Sequence, residues 1–347
     1  MGIQDQVSHP FEERIPQPGE AIEVTPGIWW IRMPLPFALD HINLWLLEDG
    51  DGWTLVDTGY GVAATWELWE RHFTGVMANR PVKNIVVTHY HPDHVGSAAW
   101  LVERTGAPLW MTAAEFLSAH AALGDLAGFD RENTVALYLA NGVPATTVPE
   151  STRKVNGYRR GVPDVPRRYR RMMHGDRLSI GGHNWEVITV FGHAPEHAAL
   201  WCPTRNVLIS GDQVLPRITT NVAVWGSQPE GNPLQHFLES MSRFAHLPAD
   251  ALVLPSHDRV FRGVHARIAQ LHEHHRERLD RLHEGCAQPI TAFEALPLLF
   301  RRKLDDHQLM FAMGEAIAHM HYLEQAGRVR RVEHEGLRRF VKVELGA

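Results

Sequence analysis

Six consecutive residues, "HYHPDH" from His89 to His94, hold three imidazoles and one carboxylate. An apolar run, "NIVV", leads into them, so they read as a strand ending at Thr88, a loop, and a helix beginning near Gly96. On extended backbone His89 and His91 project to the same side and can grip one cation. The turn at Pro92 then redirects Asp93 and His94 toward a second position. Imidazole with carboxylate is a ligand set for zinc, and equally for iron or manganese. The two cysteines, Cys202 and Cys286, lie far apart and in no CxxC spacing, so any metal must be held by nitrogen and oxygen.

One cluster cannot close two metal sites. Three further residues share its context, each a polar residue just after an apolar run: His193 in "VITVFGHAPEH", Asp212 in "VLISGDQVL" and His257 in "ALVLPSHD". Together they give seven donors from four strand ends.

The elements that must position these residues are legible in outline. "GIWWIRMPLP", "INLWLLEDGDGWTLVDTG" and "NIVVTHYH" read as strands, with a hairpin at the Gly-Asp-Gly break. Helices are expected over "VAATWELWERHFTGV" and "GSAAWLVERTG", then a short strand "PLWMT". Residues 113–172 lose the alternation and read as an insertion or lid, with helices in "AAEFLSAHAALG" and "RENTVALYLANG". Strand patterns return in "DRLSIGGHNWEVITVFG", "HAALWCPTRNVLISGD" and "ADALVLPSHD", followed by a long helix over about 263–284. The tail from about 289 carries two helical patterns and a two-stranded ribbon around Glu335-Gly336, the order of a winged-helix unit. This division expects a catalytic domain over 1–285 and a winged-helix-like domain over 286–347.

With the stations "LVDTG", "HYHPDH", "GHAPEH", "SGD" and "PSHD" in this order, the chain resembles the metallo-β-lactamase superfamily over roughly residues 20 to 275. Its "GHxPEH" motif and helical tail are most similar to the branch containing β-lactamase-like protein 2. The resemblance implies an α/β fold, an αββα sandwich with metals at one edge. It implies that His89, His91 and His193 hold one metal and Asp93, His94 and His257 a second, with Asp212 bridging. The implied cofactor is a pair of divalent ions, zinc first, with iron or manganese as alternatives. A metal-activated hydroxide would be the nucleophile, Asp93 the proton shuttle, and Asp57 a residue that orients a ligand. A cap on the turn before Gly59 is the plainer reading of Asp57. Glu196 and Asp258 stand where many members have glycine, and Ser256 also departs from the commonest pattern. Glu196 is expected to act through hydrogen bonds rather than as a catalytic acid.

The 347 residues are 44% hydrophobic and 21% charged, the composition of an ordinary globular protein, and no run approaches the roughly 18 apolar residues of a membrane span. A polar N-terminus without signal-peptide character and the scarcity of cysteine point to the cytoplasm. The net charge of −6 hides a basic island. Between Ser151 and Arg177 nine lysines and arginines face two aspartates, a local balance of +7 that leaves the remainder near −13. That island is either a solvated loop or the contact for an anionic substrate. The expected activity is hydrolysis of a small carbonyl compound: a thioester, ester, lactone or lactam. Alternatives are an RNA phosphodiesterase and an iron-dependent oxidative enzyme. Tyr90 is expected to pack, and Trp225 to line either a pocket or the core. His174, His183 and His197 are expected at the surface or in support of the ligands. The tail is expected to pack or to form a homodimer.

Overall fold

The computed structural model describes residues 7–12, 14–148, 156–301 and 304–343. Arg153 and Lys154 of the basic island therefore lie outside the described residues, as do 1–6 of the N-terminal arm and 344–347 of the tail.

The first sheet runs in chain order: β1 (Ala21–Thr25), β2 (Ile28–Pro34), β3 (His41–Asp49), β4 (Gly52–Val56), β5 (Val82–Val86), β6 (Leu109–Thr112) and β7 (Arg170–Met172). Its first four strands pair antiparallel, with two-residue turns between β1 and β2 and between β3 and β4, and β4 to β7 pair parallel. Parallel pairing requires crossovers, which are helical. They are α1 (Ala63–Thr74), then α2 (Pro92–Val95) and α3 (Ala98–Thr105), then α4 (Ala113–Gly124) and α5 (Arg131–Ala140). The second sheet has the order β12-β11-β10-β9-β8. It comprises β8 (Arg177–Ile180), β9 (His183–Val190), β10 (His197–Cys202), β11 (Val207–Gly211) and β12 (Leu252–Pro255), with α6 (Pro233–Ser240) between the last two.

Three apolar layers join these elements. Between the sheets lie Trp30, Trp45, Val86, Trp185, Leu200, Ile209 and Leu254. Outside the first sheet, Trp53, Leu55 and Ile85 pack with Trp69 and Phe73 of α1, Leu101 of α3 and Phe116 of α4. Outside the second, Ile188, Val190 and Leu208 pack with Phe237 of α6 and with the C-terminal helices. This is the αββα sandwich that the sequence led us to expect.

The tail supplies α7 (Val264–Gly285), α8 (Leu296–Leu299), α9 (Asp306–Gln325) and a ribbon of β13 (Val329–His334) and β14 (Leu337–Lys342). Leu271, His275, Leu279 and Leu282 recur on the buried face of α7 at helical spacing. The ribbon turns at Glu335-Gly336 as expected, both with positive φ. The helical pattern over "ITAFEALPLLFRR" yields only the four-residue α8. Pro297 fits the first turn of a helix, where its missing N–H is not needed, so the helix starts there and not earlier.

Sheet polarity concentrates the chemistry. Strands β4 and β5 are parallel, and β9, β11 and β12 also share one direction. Their carboxyl ends are followed by Asp57, by His89 to His94, by His193, by Asp212 and by His257. The antiparallel strands β3 and β10 begin at the same rim with His41 and His197.

Candidate metal centre

Strand β5 ends at Val86, two residues earlier than expected. The Thr88 N–H leaves the sheet and donates to Asp57 Oδ1 at 2.8 Å, with the Thr88 hydroxyl at 3.0 Å from both Asp57 oxygens. Asp57 reaches this position with a φ of 63°, a left-handed conformation that Asp tolerates better than most residues. Its Oδ2 also accepts from His94 Nδ1 at 2.9 Å. One buried carboxylate thus fixes both the exit of β5 and the ring of His94.

The other rings are anchored in the same way, each through the nitrogen facing away from the centre. His193 Nδ1 donates to the Asn221 carbonyl at 2.8 Å, and His257 Nδ1 to the His41 carbonyl at 2.8 Å. His89 Nδ1 lies 3.0 Å from the Thr88 hydroxyl, whose own proton goes to Asp57. These partners assign the tautomers: His89 and His193 present an Nε2 lone pair inward, and His257 turns its Nε2 the same way.

All seven sequence-derived donors come together. His89 Nε2 lies 3.0 Å from His91 Nδ1 and 3.1 Å from His193 Nε2. Asp93 Oδ2 lies 3.6 Å from His94 Nε2 and 3.4 Å from His257 Nε2. Asp212 stands between these groups. Its Oδ2 is 3.4 Å from His193 Nε2, while its Oδ1 is 3.4 Å from both His94 Nε2 and His257 Nε2. Three sets of three donors lie close enough to hold an ion: His89 with His91 and His193, His89 with His94 and Asp212, and Asp93 with His94 and His257.

The chemistry of this donor set fits a cation. Inward lone pairs on His89 and His193 at 3.1 Å repel unless a positive charge lies between them. A proton does not fill that role: burial and the neighbouring imidazoles push His89 well below the usual histidine range, and burial pushes His91 down to about 3. The second group is more acidic in character. Burial lowers His257, but Asp212 and Asp93 outweigh it and lift the ring to about 10. His94 Nε2 and Asp212 Oδ1 are buried with no hydrogen-bond partner among the described residues. Such orphaned donors and acceptors are rare in folded chains unless an ion uses them.

Residues 38–257 match the Metallo-beta-lactamase superfamily, and residues 279–343 match a C-terminal domain described as metallo-beta-lactamase-like. The chain belongs to the metallo-beta-lactamase superfamily. It is a metallo-hydrolase of that family. A beta-lactamase domain protein from Burkholderia ambifaria of known structure is 42% identical, with a TM-score of 0.91 over 98% of this chain and 99% of that one. A probable metallo-hydrolase of Bacillus subtilis is 23% identical over 301 residues, 85% of this chain and 91% of that one. A hydroxyacylglutathione hydrolase of Rhodobacter capsulatus is 24% identical over 298 residues, 81% of this chain and 90% of that one. Other hydroxyacylglutathione hydrolases are spanned over less than two thirds of their length.

Several residues that shape this superfamily site carry no ligand signature. His197 is fully buried, and its Nε2 accepts the Asp212 N–H at 3.2 Å. A Cβ on Gly211 would lie 2.2 Å from that same nitrogen, so the glycine of "SGD" is required by the imidazole behind it. His197 was legible only as a neighbour of the "GHAPEH" station. His174 and His183 lie elsewhere, on Thr189 N–H and the Thr204 hydroxyl. Trp225 packs edge-on against Phe311 of α9, ring centroids 6.2 Å apart. Tyr90 is buried in the outer layer, as expected.

The two departures from the common glycine pattern have different physical reasons. Asp258 keeps the left-handed backbone with φ of 68°, and uses its carboxylate for a two-pronged pair with Arg217 at 2.5 and 2.6 Å. Its N–H donates to His41 Nε2, which steadies the segment carrying His257. Glu196 has no positive φ, so no glycine is needed there. Its N–H donates to Glu115 Oε1 at 2.5 Å, and its carbonyl accepts from the Thr112 hydroxyl at 2.8 Å.

Proposed function

We propose that this chain is a dinuclear metal-dependent hydrolase of a small carbonyl substrate, with thioesters the leading class and esters, lactones and lactams the alternatives. The observation that supports this reading most is Asp212, with one oxygen toward each histidine group. His89, His91 and His193 would hold one ion, Asp93, His94 and His257 the other, and Asp212 both. Zinc suits two imidazole-rich, oxygen-completed positions of this kind. Two divalent ions supply Lewis acidity toward a carbonyl oxygen and a water of lowered pKa.

The chain's own groups do the rest. Asp57 keeps the His94 ring oriented, and the Asn221 and His41 carbonyls keep His193 and His257 aimed inward. His91 and Asp93 are the partly exposed members of the set, so substrate reaches the centre from their side. Asp93, on that partly exposed side, would pass a proton between the centre and solvent or the leaving group. The similarity to hydroxyacylglutathione hydrolases supports a thioester.

An RNA phosphodiesterase finds less support. Most arginines of the ribbon pair with carboxylates instead of forming an open basic track: Arg331 with Glu230 and Glu324, Arg338 with Glu230 and Glu333, Arg339 with Glu294, and Arg328 with Asp280. These pairs suit a packing role for the winged-helix-like tail.

Zinc-loaded protein assayed on an acyl thioester, a lactone and a β-lactam tests the reading. Thioester turnover that falls at least about a thousandfold in His91→Ala is the expected result. Inactivity on all three substrates would sink it.

A further inference from the structure

Besides Glu115, the insertion reaches the metal-bearing side through the turn Tyr158–Arg160, which leaves an arginine at the rim. Tyr158 donates its hydroxyl to the Tyr90 carbonyl at 2.6 Å, tying the turn Tyr158–Arg160 directly to the backbone between His89 and His91. Three residues on, the Gly161 carbonyl accepts from the Gly61 N–H at 2.7 Å. A Cβ on Gly161 would lie 2.0 Å from Tyr60 Cε2, so only glycine lets the turn close onto that ring. The turn is therefore mounted rigidly against the segment that follows Asp57 and against α2, which carries Asp93 and His94.

Arg160, held between these two anchors, is exposed and has no carboxylate partner among the described residues. The Tyr60 hydroxyl likewise has no hydrogen-bond partner among them. Burial raises the Tyr60 phenol above its usual range, Arg160 pulls it back and Asp93 adds to the rise, so both charges act on that hydroxyl. Phe37, 38% exposed, meets the Tyr60 ring edge-on at 5.5 Å. A rim of Phe37, Tyr60 and Arg160 thus borders Asp93, the partly exposed side of the centre.

We propose that Arg160, with the Tyr60 hydroxyl beside it, binds an anionic group, carboxylate or phosphate, on the arm of the substrate that lies outside the metal centre. A guanidinium without a carboxylate partner, on a turn closed against the Tyr60 ring, offers charge-assisted donors to an anion. The anion lies on the substrate and not at the metals, because Arg160 sits on the insertion and is not one of the seven donors. The proposal rests on the hydrolase reading and specifies its substrate class.

Two measurements test it separately from that reading. Kinetics on one acyl group carried by three thiols, glutathione, coenzyme A and the neutral N-acetylcysteamine, compare wild type with Arg160→Ala and Arg160→Lys. The anionic-to-neutral ratio of kcat/KM is expected to fall about ten- to a hundredfold in Arg160→Ala, chiefly through KM, with partial recovery in Arg160→Lys. A larger fall for glutathione marks a carboxylate arm, and a larger fall for coenzyme A marks a phosphate arm. Equal losses on all three thioesters would overturn the proposal. Calorimetric binding of the non-hydrolysable S-hexyl glutathione and S-hexyl coenzyme A gives an answer that needs no turnover. Tighter binding of either to wild type than to Arg160→Ala supports the subsite even if no thioester is hydrolysed, in which case the hydrolase reading alone falls. Binding unaffected by Arg160→Ala, or no binding of either probe to wild type, overturns the subsite.

Discussion

Asp57 shows how much of the site depends on a residue that touches no ion. It accepts the Thr88 N–H, the Thr88 hydroxyl and His94 Nδ1, so it sets both where the histidine loop starts and which nitrogen of His94 faces inward. In Asp57→Asn the amide preserves shape but removes the charge that favours an Nδ1–H tautomer of His94. Metal affinity and activity are expected to drop about 10- to 100-fold, with the melting temperature changed by only a few degrees. Titration with a chromophoric chelator and a thermal melt check both halves of that statement. The donors themselves were legible because each follows an apolar run, and four of them crowd into six residues. Their anchors were not. The carbonyls of Asn221 and His41 belong to the backbone, and a carbonyl leaves no mark in a sequence. His197 was visible as a histidine, but its use as an acceptor for the Asp212 N–H depends on strand β10 starting at the same rim, which only the sheet topology establishes.

The elements do more than display ligands; some of them lock one loop to another. Helix α4 carries Glu115, fully buried, whose two oxygens accept the Tyr90 N–H at 2.9 Å and the Glu196 N–H at 2.5 Å. It therefore links the loop of the first sheet that bears His89 and His91 to the loop of the second that bears His193. Helix α7 braces a third loop: Arg267 donates to the carbonyls of Leu215, Arg217 and Ile218, in the segment after Asp212. Burial raises Glu115 to about 8, against the pull of those two N–H donors. A carboxyl group raised in the folded state binds more protons there than in the unfolded chain between its ordinary pKa and about 8, so its contribution makes stability fall as pH rises through that window. Denaturant midpoints of wild type and Glu115→Gln at pH 5 and pH 8.5 read this out. The advantage of wild type over the variant is expected to be larger at pH 5 and to shrink at pH 8.5; an unchanged difference would mean that Glu115 does not titrate there. Nothing in "AAEFLSAH" distinguishes this glutamate from a solvated one on an amphipathic helix. By contrast the helices and strands themselves were legible, since their apolar periods agree with the layers they enter. The exceptions are β1, β7 and α6, which the apolar pattern did not mark, and α8, where the apolar spacing suggested a longer helix and Pro297 fixed a later start.

Across the whole molecule the tail is continuous with the second sheet. Ile188 and Val190 of β9 share one apolar cluster with Leu279 of α7, Ile317 of α9 and Phe340 of β14. Under the proposed function, substrate choice belongs to the other side, where the insertion and the rim at Tyr60 meet the partly exposed donors. Among the described residues no helix is long and apolar enough to cross a membrane. In the proposed hydrolase seven donors hold two divalent ions that share Asp212. Elemental analysis of protein purified with zinc in the medium, after removal of loosely bound metal, tests it directly. Close to two ions per chain are expected in wild type, and one or fewer in Asp212→Ala. A single ion in wild type, or two retained after Asp212→Ala, would contradict it.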